Sequence, residues 1–177
     1  MKNSKALFVT ESAIIAALYV ALTWVSNIVG LSYGSIQFRI SEVLTILPVF
    51  TPAAIPGLTV GCIIANFNSP YGLLDVALGS LATLVASTLC YALRNKRIRG
   101  LPVLSALMPV WANALAVSLV ISPFFSEIEG GALMAFTISC AQVGFGELIT
   151  GTLLGLLLFK TLEKNNFSKV ISNFRGT

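Results

Sequence analysis

A handful of polar side chains interrupts a chain otherwise made mainly of Leu, Ala, Val, Ile and Gly: Gln37, Arg39, Glu42, Asn66, Asp75, Asn113 and Glu147. Ionisable groups within apolar segments are costly and mark function or pairing. Glu147 is the clearest case. Gly144, Glu147, Gly151 and Gly155 recur at spacings of 3, 4 and 4, which puts them on one helix face. Small residues let helices approach closely, so that face looks into a bundle and takes Glu147 with it. A carboxylate held there can accept two hydrogen bonds side by side from a ligand; pairing with another helix is the competing use. Asp75 heads a similar stripe, Asp75, Gly79, Ala82 and Ala86, at spacings of 4, 3 and 4. An acid in a first turn also stabilises a helix N-terminus, so ligand contact and helix stabilisation stand level for it. Asn113 shares a face with Ala106, Pro109 and Ala116. Its amide both donates and accepts, and suits a ligand or a neighbouring helix equally.

The densest polar stretch is Ser32-Tyr33-Gly34-Ser35-Ile36-Gln37-Phe38-Arg39-Ile40-Ser41-Glu42, between two apolar runs. It is expected to form a wall or lid of a ligand site, with Gln37, Phe38 and Arg39 reaching inward. Arg39 and Glu42, three apart, can also simply pair. Phe38, Tyr33, Trp111, Tyr71 and Phe145 are candidates to stack on a flat ligand, although interfacial belts and packing use most membrane aromatics.

Other chemistries lack their residues. The chain has no histidine, and Cys62, Cys90 and Cys140 lie within apolar runs without a C-x-x-C pair, so the clustered ligands of a zinc site are missing. There is no G-x-x-x-x-G-K-[ST] phosphate loop, H-E-x-x-H or G-x-S-x-G. The chain reads as non-catalytic, with no metal or cofactor of its own. A basic stripe interleaved with aromatics is also missing, which argues against nucleic acid.

The elements that must position these groups are membrane spans. Of the residues, 56% are hydrophobic and 10% charged, against about 25% charged in soluble domains. The reading is a single all-α transmembrane domain over 1–177, with helices at about 7–29, 40–50, 53–67, 71–93, 101–122 and 131–160. The first run follows Lys2 and Lys5 like a signal peptide, but it is too long for one and is read as a retained helix. The stretch 40–67 holds Pro48, Pro52 and Pro56 and is one kinked span or two short ones. Charge decides. Lys and Arg gather in cytoplasmic loops; only two spans there put both termini and the Arg94-Asn95-Lys96-Arg97-Ile98-Arg99 loop on the cytoplasmic side together. Arg39 then becomes the one basic residue outside, with the 66–72 turn, Asp75 and the Glu127/Glu129 loop. The two short helices, roughly 16–22 Å at about 1.5 Å per residue, are too short to face lipid throughout. Residues 165–177 read as a polar tail. Ala13, Ala17 and Ala21 make a small-residue ridge on the first helix, facing either the bundle or a partner; Gly57 and Gly61 are a weaker example.

These residues closely resemble the QueT family of queuosine precursor transporters. The resemblance runs from the 32–42 stretch through Leu47-Pro48, Thr51-Pro52-Ala53-Ala54-Ile55-Pro56-Gly57-Leu58, Gly61-Cys62-Ile63-Ile64-Ala65-Asn66, Tyr71-Gly72-Leu73-Leu74-Asp75 and Gly79-Ser80-Leu81-Ala82-Thr83-Leu84 to Asn113 and Gly146-Glu147. It implies a six-helix S component of an energy-coupling factor (ECF) transporter in a bacterial cell membrane. Such a subunit binds its substrate outside and docks on a transmembrane T protein and two ATPases, which use the ATP. It implies a 7-deazaguanine cargo such as preQ1 or preQ0, the 32–42 stretch as a cap, and the Ala13, Ala17, Ala21 ridge as the contact with the T protein. On that resemblance Glu147 would hold the guanine-like edge, Asp75 or Glu42 a cationic arm, Asn113 or Gln37 the ring carbonyl, and Phe38, Tyr33 or Trp111 the flat ring, with Asn66 beside them. Another micronutrient as cargo, or a stand-alone proton-coupled transporter using Glu147 and Asp75 as relays, remains an alternative.

Overall fold

Segments of 19 or more residues with almost no charge can bury their backbone polar groups in lipid only as helices. A computed structural model describes residues 4–32, 36–122 and 131–175. Among these, four helices are long and apolar enough to cross a membrane. They are α1 (Ser4–Ile28), α3 (Leu73–Ala92), α4 (Val103–Ile121) and a composite helix. The composite begins as α5 (Gly131–Glu147), loosens into a π-helical stretch, Leu148–Leu154, and tightens again as α6 (Gly155–Lys164). Two shorter apolar elements complete the bundle, a 3-10 helix at Ile40–Val49 and α2 (Ala54–Asn66). No strand forms among the described residues; an isolated bridge between Ile98 and Leu101 closes the α3–α4 turn. The result is an all-α polytopic membrane bundle.

Successive helices pack side by side: α1 on α2, α2 on α3, α3 on α4 and α4 on α5. The 3-10 helix runs among them, touching α1, α2, α3, α4, the π stretch and α6. Eight of its ten side chains are buried, so it needs no lipid-facing length. Its 3-10 form departs from the α-helix expected there. At about 2.0 Å per residue its ten residues cover about 20 Å. All three prolines are accommodated: Pro48 within the 3-10 helix, Pro52 in the turn that follows, and Pro56 in the first turn of α2, where backbone N–H groups lack helical partners anyway.

The α1–α2 seam answers the question of the small residues. A Cβ on Gly57 would lie 2.7 Å from the Ser12 carbonyl oxygen, and one on Gly61 3.0 Å from that of Ala16. The close crossing therefore uses Gly57 and Gly61. Ala13, Ala17 and Ala21 lie on the exposed side of α1.

The two ends of the bundle differ. At one, Phe50 stacks on Phe159 at 5.2 Å and meets Phe167 edge-on at 5.7 Å. Arg97 covers Phe159 at 4.5 Å and reaches Glu163 at 3.9 Å. The end of the chain is helical there rather than the polar tail expected. Asn166 turns the chain at φ 52° into α7 (Phe167–Arg175), whose Phe167, Val170 and Ile171 recur at helical spacing. The opposite end holds Arg39, Asn66 and Asp75.

Candidate functional site

Arg39 closes the chain segment before the 3-10 helix and is only 6% exposed. Its guanidinium donates from Nε to the Ser32 carbonyl at 3.2 Å, from Nη1 to Asn66 Oδ1 at 3.1 Å and from Nη2 to Asp75 Oδ2 at 3.5 Å. Asn66 caps this group from the end of α2, donating from Nδ2 to the Asp75 carbonyl at 3.1 Å. Asp75 sits in the first turn of α3, where the helix N-terminus also favours its charge. One cation and one helix terminus thus meet one carboxylate, while the amide ties the cation to the Asp75 main chain. The pairing of Arg39 with Glu42, open from the sequence, is replaced by this bridge to Asp75.

Glu42 lies at the start of the 3-10 helix, 2% exposed. The Tyr19 hydroxyl of α1 donates to its Oε1 at 2.5 Å. A polar stripe of α1 continues this contact. Thr23 donates to Ser41 Oγ at 2.8 Å, Ser32 donates to the Thr23 carbonyl at 3.2 Å, and Ser26 Oγ accepts the Ile40 N–H at 2.8 Å. Tyr19, Thr23 and Ser26 recur at spacings of 4 and 3. That periodicity is the signal by which the sequence shows them, on the side of the helix opposite the alanine ridge.

Glu147 ends α5 where the π stretch begins. Asn113 of α4 donates from Nδ2 to Glu147 Oε1 at 2.6 Å. A Cβ on Gly151 would stand 3.0 Å from Glu147 Oε2 and 3.8 Å from both Thr45 Oγ1 and Pro109 Cβ. Thr45 in turn donates to the Glu42 carbonyl at 2.6 Å. Glu42 and Glu147 are therefore neighbours, close enough to interact electrostatically. The π turn is pinned by Thr152, whose hydroxyl donates to the Ala106 carbonyl at 2.9 Å, just before Pro109.

The stretch before the 3-10 helix lies directly on this group. A Cβ on Gly146 would collide with the Gln37 carbonyl oxygen, so only glycine lets the backbone at Gln37 rest against the helix beside Glu147. Gln37 is 6% exposed. Four buried polar atoms in this region have no hydrogen-bond partner among the described residues: Gln37 Nε2, Glu42 Oε2, Asp75 Oδ1 and Glu147 Oε2. Buried polar groups in native proteins are nearly always satisfied. One open donor and three open acceptors on buried side chains at one end of the bundle offer hydrogen-bonding capacity to a polar ligand.

Seven of the candidate residues thus gather: Gln37, Arg39, Glu42, Asn66, Asp75, Asn113 and Glu147. Phe38 beside them is half-buried. Trp111 is not brought in. It is 67% exposed on the lipid side of α4, because two residues from Asn113 is about 200° around a helix. The stacking role expected of it is corrected on that ground. Phe145 turns outward likewise, at 52% exposure. Tyr33, Glu127 and Glu129 fall outside the described residues. An apolar groove of about 420 Å³, lined by Ile14, Leu18, Leu47, Leu158 and Phe167, lies at the aromatic end and is separate from the polar cluster.

Comparison with known proteins bears on what this cluster serves. A curated relative, the Queuosine precursor transporter QueT of Lactococcus lactis subsp. cremoris (strain MG1363), is 46% identical over 85 residues, 48% of this chain and 50% of the relative. The matched stretch thus spans half of that protein's length. No solved structure matches the chain. The family model described as QueT transporter matches residues 9–164, which contain every residue of the polar cluster, and the chain therefore belongs to the QueT transporter family.

Proposed function

We propose that the chain binds a queuosine precursor, a 7-deazaguanine such as preQ1 or preQ0, as the S component of an ECF-type importer in a bacterial cell membrane. The observation that carries this reading is the set of open polar atoms beneath Gln37: the amide Nε2 with Glu42 Oε2 and Glu147 Oε2, all on side chains at most 6% exposed. A guanine-like edge offers a ring N–H and an exocyclic amine side by side, a match for a carboxylate. Glu147, oriented by Asn113, takes that edge. The ring carbonyl accepts from Gln37 Nε2. Phe38 lies at hand for the ring face. The cluster sits at the end of the bundle remote from the Arg94–Arg99 loop, and by the distribution of Lys and Arg that end faces outside, with both termini in the cytoplasm. The segment 36–39 is the cap.

The chain carries no nucleotide-binding motif, so energy comes from partners: a transmembrane T protein and two ATPase subunits. The exposed ridge of Ala13, Ala17 and Ala21 is the docking face for the T protein, since small residues permit close helix contact. Mass spectrometry of small molecules that co-purify with the protein tests the cargo, and a 7-deazaguanine is expected. A vitamin or another base would overturn the cargo but keep the binding role. Glu147→Gln is expected to weaken 7-deazaguanine binding by about 1.5–3 kcal/mol, the scale of a hydrogen bond to a charged group. Unchanged affinity would remove Glu147 from the site. Uptake into cells lacking the ATPase subunits should be absent; uptake that persists would make the chain a stand-alone transporter.

A further inference from the structure

We propose that Glu42 is the residue that selects cargo by charge, receiving a primary ammonium on the ligand, and that the site consequently prefers an aminomethyl 7-deazaguanine to its neutral nitrile counterpart. This rests on the reading of the cluster as a 7-deazaguanine site.

Three carboxyl groups, Glu42, Asp75 and Glu147, share the region with one guanidinium. That guanidinium hydrogen-bonds Ser32, Asn66 and Asp75 and acts on Glu42 and Glu147 through space. Asp75 thus has its countercharge. The hydrogen bonds to the Glu42 and Glu147 carboxylates come from neutral donors, the Tyr19 hydroxyl and the Asn113 amide. A neutral donor orients a carboxylate without cancelling its charge. Two acids near one another in an apolar bundle, each with an open oxygen, leave an excess of negative charge that is costly unless a cation arrives.

The surroundings divide the two roles. Glu147 stands beside an amide, and an amide with a carboxylate makes the mixed donor–acceptor edge that reads a base. Glu42 takes the Tyr19 hydroxyl on its carboxylate and the Thr45 hydroxyl on its main-chain carbonyl, with Ser41 adjacent in the chain. An ammonium has three protons to donate and no acceptor. The open carboxylate oxygen with the Tyr19 hydroxyl oxygen beside it fits that demand, and an uncharged nitrile forgoes it. Asp75, the other acid open to this role from the sequence, also keeps an oxygen open but has its charge met by Arg39.

The test is calorimetry on the full chain in detergent, with the aminomethyl compound (preQ1), the nitrile (preQ0) and the hydroxymethyl analogue of the same arm. Wild-type protein should bind preQ1 at least tenfold more tightly than either neutral compound. Glu42→Gln should lower preQ1 affinity at least thirtyfold, change preQ0 affinity less than threefold, and so erase the preference. Equal binding of all three compounds by wild-type protein overturns the inference while leaving the 7-deazaguanine reading intact. So does a Glu42→Gln variant that loses preQ1 and preQ0 in equal measure. If Glu42→Gln does not fold, the hydroxymethyl comparison on unaltered protein decides alone: a loss of tenfold or more supports the ammonium site, and parity overturns it. Binding of none of the three overturns the underlying reading and the inference with it.

Discussion

Asp75 and Glu42 are buried equally deeply and close to the same arginine, yet their surroundings differ in kind. Asp75 is met by a guanidinium at 3.5 Å and by the start of its own helix. Glu42 is met by a phenol at 2.5 Å, and each of the two acids keeps one oxygen open. The first arrangement ties three elements, the 36–39 segment, α2 and α3, into one fixed corner. The second ties α1 to the 3-10 helix through a neutral donor that leaves the acid's charge unmatched at that bond. Together they suggest how a membrane bundle holds both a structural ion pair and a receptive site within one polar region: countercharge from the protein in one place, neutral donors in the other.

The sharpest way to break this contrast is Arg39→Met. It strands Asp75 as an uncompensated buried charge, and about 3–5 kcal/mol of stability should be lost, read as a lowered unfolding midpoint in detergent. Adding Asp75→Asn should recover part of it. If Arg39→Met instead spares stability and abolishes ligand binding, the corner is part of the site and the contrast falls. A smaller effect is expected from Gly146→Ala. Its methyl would collide with the Gln37 carbonyl oxygen, so the cap must shift, at an overpacking cost of about 1–3 kcal/mol. The loss should appear as a lowered unfolding midpoint together with faster ligand release. The smallest belongs to Trp111→Ala. A side chain 67% exposed to lipid should change binding by less than about 0.5 kcal/mol, and a larger loss by calorimetry would return Trp111 to the site.

Much of the cluster was legible because helices repeat. Glu147, Asn113 and Asp75 each lie on a stripe of small residues, and a stripe that also carries a polar group faces another helix here. The segment holding Gln37 and Arg39 was legible from composition, as a polar island between apolar runs. Pairing was not legible. Arg39 could as well have met Glu42, and only the approach of α2 and α3 gives it Asn66 and Asp75, 27 and 36 positions away. Tyr19 escaped because an aromatic in a membrane helix has many ordinary uses, and its bond to Glu42 spans 23 positions. The direction of Trp111 was legible in principle, from its angle to Asn113. The 3-10 winding of Ile40–Val49 was not, since it follows from being enclosed by six other elements.

That winding has a mechanical meaning. A 3-10 helix turns about 120° per residue and an α-helix about 100°, with a rise of about 2.0 against 1.5 Å. The segment is therefore a screw thread cut at a different pitch from its surroundings. Rewinding the seven steps from Val49 back to Glu42 as α-helix would draw the carboxylate inward by about 3.5 Å and swing it through about 140°. Depth and bearing of the acid are coupled in one element, so any event that changes the pitch of this thread would both withdraw Glu42 from a ligand and turn it away.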